Sequence, residues 1–235
     1  MENLNLKPVT FNLDVKPLRE VNQYLHGDAS ELNGKSIFIE NPNGAHNIAV
    51  GLNAEMDVTI KGHAGYYAAG MNQLAKITIE GSAGSGVAEN MMSGVVHVKG
   101  FASNAAAATA NGGLLIIDGD AGLRTAIAIK GADVVVGGSV GSFSAFMAQA
   151  GNFVILGDAG EGLGDSIYEA KIFVRGKVKS LGADCEKKTT SAEDRKILAD
   201  LLIKSGHADV SPDTFQQYGS ARTLYHFHVD NAGAY

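Results

Sequence analysis

Tryptophan is absent from this chain, cysteine occurs once, and proline occurs four times in 235 residues. The single cysteine, Cys185, excludes an internal disulfide and suits a reducing compartment. Aromatic residues make up only 7% of the chain, which fits a narrow core of Val, Ile and Ala better than a broad globular one. There is no basic block, and the net charge is −6, which argues against nucleic acid as a partner. No apolar run approaches the length that crosses a bilayer, so no membrane association is expected. The first residues, Met1-Glu2-Asn3-Leu4-Asn5, have neither the cationic start nor the apolar stretch of a signal peptide. A cytoplasmic protein is the expectation.

What the chain has in abundance is glycine, and it is spaced. Gly62, Gly81, Gly100, Gly119, Gly138, Gly157 and Gly176 follow one another at intervals of 19 residues without a slip. A period near 20 suits one coil of a solenoid and neither a helical pair nor a heptad. Four residues before these ruler glycines stand Val58, Ile77, Val96, Leu115, Val134, Phe153 and Ile172; two before stand Ile60, Ile79, Val98, Ile117, Val136, Ile155 and Val174. Positions two apart share one face of a strand, so these two columns form the inner face of a short strand in each coil. A second glycine recurs three residues after the ruler, and a small residue seven after it, at Ala69, Ala88, Ala107, Ala126, Ala145, Gly164 and Ala183. Columns of Ala and Gly imply close walls.

The pattern predicts an all-β solenoid: a single-stranded, right-handed parallel β-helix of about seven coils, capped by short helices at both ends. A leucine-rich horseshoe is the structural rival and is disfavoured, because the repeats carry neither its leucine pattern nor a helical stretch. The ruler glycines are expected at corners that in several cases tolerate no Cβ, and Gly119→Ala and Gly138→Ala to cost about 1 kcal/mol or more each if φ is positive there.

Three segments are expected. Residues 1–36 form an N-terminal extension and cap, with a helix between Lys16 and Gly27 carrying the stripe Leu18, Val21 and Leu25. Residues 37–185 form the β-helix, beginning with a degenerate coil in which Ile37 and Ile39 stand for the strand. Residues 186–235 hold a C-terminal helix opened by Ser191, with Ile197, Leu198, Leu201 and Leu202 on its buried side, and then an arm. The arm carries Tyr218, Arg222, Tyr225, Phe227, His228 and Tyr235, residue types that anchor interfaces. The outward column three before the ruler changes from Thr59, Thr78 and His97 to Ile116, Val135, Val154 and Phe173. Both strand faces of the later coils are therefore apolar and need cover, from the chain's own helix or from a partner. The candidate interface is thus Ile116, Val135, Val154 and Phe173 together with the arm.

The search for chemistry finds little that converges. His46, His63 and His97 belong to different columns and do not assemble a metal site. Asp118, Asp120, Asp158, Asp165 and Asp184 fall at turns, where Asp ordinarily bonds backbone. The run Gly157-Asp-Ala-Gly-Glu-Gly-Leu-Gly164 lacks the Lys and the helix start of a phosphate loop. His226-Phe-His228 offers two imidazoles and no third ligand. No catalytic, cofactor-binding or metal-binding residue is expected in this chain.

Gly62-His-Ala-Gly65, Gly86-Val-Ala-Glu-Asn-Met-Met-Ser-Gly94 and Gly157-Asp-Ala-Gly160 resemble the glycine-repeat β-helix that ends the large subunit of glutamate synthases. The repeats of the formylmethanofuran dehydrogenase C subunit are similar too, with a different tail. Gly62-His-Ala-Gly-Tyr-Tyr-Ala-Ala-Gly-Met-Asn-Gln73, Gly164-Asp-Ser-Ile-Tyr-Glu-Ala170, Lys179-Ser-Leu-Gly-Ala-Asp-Cys185 and Tyr218-Gly-Ser-Ala-Arg222 are most similar to the free-standing β-helix subunits of N-methylglutamate synthases (methylamine–glutamate N-methyltransferases). The resemblance implies a non-catalytic scaffold in a three-subunit transferase of methylamine metabolism. Its partners would be a class II amidotransferase-like subunit and an FMN-binding, glutamate synthase-like barrel. The FMN would lie in that partner, with no cofactor in this chain. The alternative is a β-helix component of a glutamate synthase-like or formylmethanofuran dehydrogenase-like complex, and the rival from another class is a self-contained sugar- or acyl-processing β-helix enzyme.

Overall fold

The computed structural model describes residues 8–222. Strands β1 (Val9–Asn12), β2 (Ser36–Glu40), β3 (Asp57–Lys61), β4 (Lys76–Ile79), β5 (Val95–Val98), β6 (Leu114–Ile117), β7 (Lys130–Val136), β8 (Ala150–Ile155) and β9 (Lys171–Val174) stack in chain order, each parallel to the next. Eight intervals of about 4.8 Å make a sheet roughly 38 Å tall. The pairing register is the sequence column itself: Val58 lies beside Ile77, Ile77 beside Val96, Val96 beside Leu115. A one-residue slip would turn the inner columns outward, so their burial holds the register.

The degenerate coil is confirmed, with Ile37 opposite Val58 and Ile39 opposite Ile60. The sheet starts earlier than residue 37, however. Val9–Asn12 adds another parallel strand, because Val9 and Phe11 continue the two inner columns opposite Ile37 and Ile39. Helix α1 (Leu18–Leu25) lies over the first coil with Val21 and Leu25 fully buried, and α2 (Ala29–Leu32) adds Leu32. Asn22 fastens α1 to the coil beneath: its amide donates to the Asn47 carbonyl at 2.8 Å and its carbonyl accepts from Ala49 N–H at 3.1 Å. This is the expected helical cap at the N-terminal end.

Two further walls complete each coil. One is a row of single parallel bridges through Ala64, Ala83, Ala102, Ala121, Val140, Ala159 and Val178. The other is built from left-handed backbone at alternate residues: Tyr67, Ala69 and Met71 in one coil, Ala105, Ala107 and Thr109, Arg124, Ala126 and Ala128, and Phe143, Ala145 and Met147 in others. The middle member of each triplet is an alanine that is fully buried in the core. Each such residue costs on the order of 1–2 kcal/mol in backbone conformation, offset by inter-coil hydrogen bonds such as Ala107 N–H to Val87 C=O at 2.9 Å.

The ruler glycines sit at the corner after the strand, as expected, but for a different reason. Gly119 and Gly138 do not have positive φ; among the ruler, only Gly62 does, at +137°. The constraint is contact between coils. A Cβ on Gly157 would lie 2.6 Å from the Gly138 carbonyl carbon, and one on Gly176 would lie 2.3 Å from the Gly157 oxygen. That approach lets each ruler N–H donate to the ruler C=O one coil earlier, from Gly81→Gly62 at 3.0 Å to Gly176→Gly157 at 3.1 Å.

The C-terminal end differs from a helical cap. After the last full coil the chain forms β10 (Cys185–Lys188), then α3 (Ala192–Lys204), a 3-10 turn (Pro212–Thr214) and β11 (Gln216–Ser220). Strand β11 inserts between β9 and β10, antiparallel to both. Tyr218 falls opposite Ile172 and so ends the inner column, closing the core with a ring. Helix α3 does not cap the end. It lies against the outer face of the sheet.

Candidate functional site

The outward apolar column is where the sequence placed an interface. Val135, Val154 and Phe173 are fully buried and pack against Leu198, Leu201 and Leu202 of α3, with Ile197, Val210 and Phe215 beside them; Ile116 is 4% exposed. The cover is therefore the chain's own helix. Thirteen residues at 1.5 Å make a helix of about 20 Å, enough to cross four strands at 4.8 Å spacing. Its N-terminal Asp194 meets Lys171 on β9, and its C-terminal Leu201 and Lys204 lie beside Gly94, Val95, Gly113 and Leu114 near β5 and β6. That span accounts for the switch in the column. Thr59, Thr78 and His97 lie beyond the helix, half-buried, and there the column is polar.

Ser191 caps α3 by accepting the Asp194 N–H at 3.0 Å, as the sequence suggests. Asp194 then locks the helix to the sheet: Lys171 Nζ lies 2.5 Å from one carboxylate oxygen and Gln217 Nε2 donates to the other at 3.1 Å. Burial pushes the Asp194 carboxyl up, but its contacts with Lys171, Gln217 and Ser191 outweigh that and hold it below the ordinary carboxylate range.

The arm residues divide. Tyr218 is 6% exposed and belongs to the core, with burial pushing its hydroxyl up. It is a structural residue of β11 and not a free anchor. Arg222 is exposed and pairs with Asp184 at 2.9 Å. Tyr225, Phe227, His228 and Tyr235 lie outside the described residues. An open pocket of about 330 Å³ at this end is lined by Tyr168, Lys171, Lys188, Gln217, Tyr218 and Arg222, among others. Its cations are matched by acids, Lys171 with Asp194, Lys188 with Glu186 and Arg222 with Asp184. Cys185 is partly buried nearby, and desolvation, the largest cause, pushes its thiol up to about 11.

Asp120, Asp158, His46 and His63 are employed in the structure itself. Asp120 accepts the Ser139 N–H at 2.7 Å and Asp158 accepts the Lys177 N–H at 2.7 Å, each from the following coil. Ser82 and Ser139 do the same in that column, and His63 Nδ1 accepts the Ser82 N–H at 2.9 Å. A parallel ladder runs through His46 Nδ1 to Tyr66 N–H and Asn104 Oδ1 to Leu123 N–H. These side chains satisfy corner N–H groups that the backbone ladders leave over. His97 instead meets Asp118 at 2.6 Å on the outer face. Among the described residues no group of three His, Cys, Asp or Glu side chains is arranged to hold a metal, and no helix is long and apolar enough to cross a membrane.

Sequence reading missed one surface. Tyr66, Tyr67, Met71, Leu123, Phe143 and Met147 are between 39% and 53% exposed on the wall of alternating left-handed residues. Their columns vary in residue type from coil to coil, so no periodic signal marks them. The only pointer was the regular inward alanine between them.

No family model matches the chain, and no solved structure matches it significantly. Protein GlxC of Rhizobium meliloti (strain 1021) is 56% identical over 225 residues, which is 96% of this chain and 99% of that protein. The chain belongs to the family of protein GlxC.

Proposed function

We propose that this chain is the non-catalytic β-helix subunit of an FMN-dependent N-methylglutamate synthase. In this role it scaffolds an amidotransferase-like subunit and a flavin-barrel subunit that together make N-methylglutamate from glutamate and methylamine. The observation that carries the reading is the use of the chain's polar groups. Asp120, Asp158, His46 and His63, the natural candidates for chemistry, are tied into inter-coil hydrogen bonds that hold the rod. The stretches that resemble the free-standing N-methylglutamate synthase subunits, from Gly62-His-Ala-Gly-Tyr-Tyr-Ala-Ala-Gly-Met-Asn-Gln73 to Tyr218-Gly-Ser-Ala-Arg222, support the particular complex. Residues 223–235, with Tyr225, Phe227, His228 and Tyr235, and the exposed Arg222 before them, are the segment proposed to grip a partner.

The test is reconstitution. The chain alone should form no N-methylglutamate and retain no flavin, and addition of the two larger subunits should give activity that depends on all three. Turnover of a sugar or acyl substrate by the isolated chain would establish the rival enzyme reading instead. Arg222→Ala should weaken assembly without lowering the stability of the chain; unchanged assembly would remove Arg222 from the interface.

A further inference from the structure

We infer that the wall of alternating left-handed residues is a two-fold interface on which a second copy of this chain packs, with the two solenoid axes antiparallel. The wall carries exposed apolar ridges, with Arg124 and Asn90 exposed between them. Tyr66, Tyr67 and Met71 stand on one coil and Phe143 and Met147 four coils later, each between 39% and 53% exposed. Between these ridges lies a floor of Gly86, Ala105 and Ala108. Half-exposed aromatic, Leu and Met side chains at about 100 Å² each give a patch on the order of 600 Å², at the upper end of what a lone monomer shows and near the 800 Å² per partner of a stable pair.

The occupant follows from the order of sizes along the wall. The outward residue at the first left-handed position reads Tyr67, Gly86, Ala105, Arg124, Phe143 and Gly162 in six consecutive coils. A two-fold axis lying in the wall, across the rod and between the coils of Ala105 and Arg124, reverses coil order and keeps each column facing itself. It sets Tyr67 on Gly162, Gly86 on Phe143, and Ala105 on Arg124. Every pair is one large residue against one small one. At the third left-handed position Met71 meets Ser166 in the same way, while Asn90 meets Met147 and Thr109 meets Ala128, so no two of its methionines collide. A column that fits its own reverse is the signature of an isologous contact, in which residue i meets j and j meets i. A two-fold axis parallel to the rod would instead set Tyr67 on Met71 and Phe143 on Met147, bulk on bulk, and leave the floor empty. The inference does not depend on the proposed reaction.

The test uses the full chain alone. Sedimentation equilibrium should give a dimer. Ala105→Tyr is the informative variant, because Tyr67 and Phe143 show that this backbone position carries a ring two coils away on either side. It should raise the dimer dissociation constant at least tenfold while the unfolding midpoint of the monomer stays put. For geometry, Ser85→Cys with Ser142→Cys places thiols three coils, about 14 Å, apart in one chain but opposite each other across the proposed axis. A short bis-maleimide should join two chains in the double variant and in neither single one. A monomeric wild type would overturn the inference, whether the face stays open or is taken by a different subunit. So would a dimer indifferent to Ala105→Tyr, or cross-linking of the single variants as efficient as of the double.

Discussion

At the scale of single residues the fold rests on what glycine lacks. The ruler column was legible from spacing alone, but its cause was not. Spacing shows that a residue recurs at a corner; it does not distinguish a positive φ from a neighbouring coil that leaves no room. The structure shows the second, and it ranks the substitutions. A Cβ on Gly138 would lie 2.2 Å from Asp120 Oδ1 and 2.8 Å from its backbone nitrogen, whereas the nearest atom to one on Gly119 is at 3.0 Å. Gly138→Ala should therefore cost about 1–3 kcal/mol by overpacking, and Gly119→Ala clearly less, as read by chemical denaturation. Equal losses at the two sites would point to conformation instead of contact. Cys185 offers a second check at this scale. With the thiol raised from 9.0 to about 11, its thiolate fraction near pH 8 is on the order of 100-fold below that of a free cysteine. Maleimide labelling of the native chain should be slowed accordingly and recover on unfolding; rapid labelling of the folded protein would show an open end.

At the scale of elements the instructive case is α3. The sequence showed its cap, its length and its apolar side, and it showed that the later coils need cover on the outside. It left the chain's own helix and a partner as equal candidates for that cover, because nothing in a periodicity says which surface a helix will meet. Length decides it: a helix of about 20 Å covers four strands, and the column Ile116, Val135, Val154, Phe173 is four residues long. Leu198→Ala, which opens space against this column, should cost about 2–5 kcal/mol and expose the outer face to a hydrophobic dye. An undisturbed midpoint would show that the helix is not held there. Asp194 gives the helix a pH dependence. Its folded-state value lies below the ordinary one, so its contribution is complete above the unfolded value of about 3.9 and is lost as pH falls through the lower folded value. Asp194→Asn should flatten the acid limb of stability in that window and leave the neutral-pH slope unchanged. The other missed element is β11. Tyr218 sits in an irregular, aromatic stretch without alternation, and its place in the core comes from a non-local antiparallel pairing with β9 that local patterns do not carry.

At the scale of the whole molecule the architecture was readable and the surfaces were not. A repeat of 19 residues reports what each coil must have in common, which is its interior and its corners. Function on a solenoid is written in what differs from coil to coil, and there the repeat is silent. Thus the inner columns and the N-terminal helix could be derived, while the polar corner ladders, the first strand and the exposed ridges of Tyr67 and Phe143 could not. The same logic corrects where the chain can be cut. Removal from Tyr218 onward deletes the middle of β11 and opens the core, so that truncation should aggregate; a cut after Arg222 spares every described strand and isolates the proposed arm. The central claim is that this rod serves as the scaffold of a flavin enzyme that others complete. Its most direct test is purification through this chain from its native cell, with the subunits identified by mass and the absorption spectrum recorded. The account predicts two larger subunits in fixed ratio and an FMN spectrum that departs with one of them when the complex is dissociated. Recovery of the chain without them, or with flavin bound to the chain itself, would contradict it.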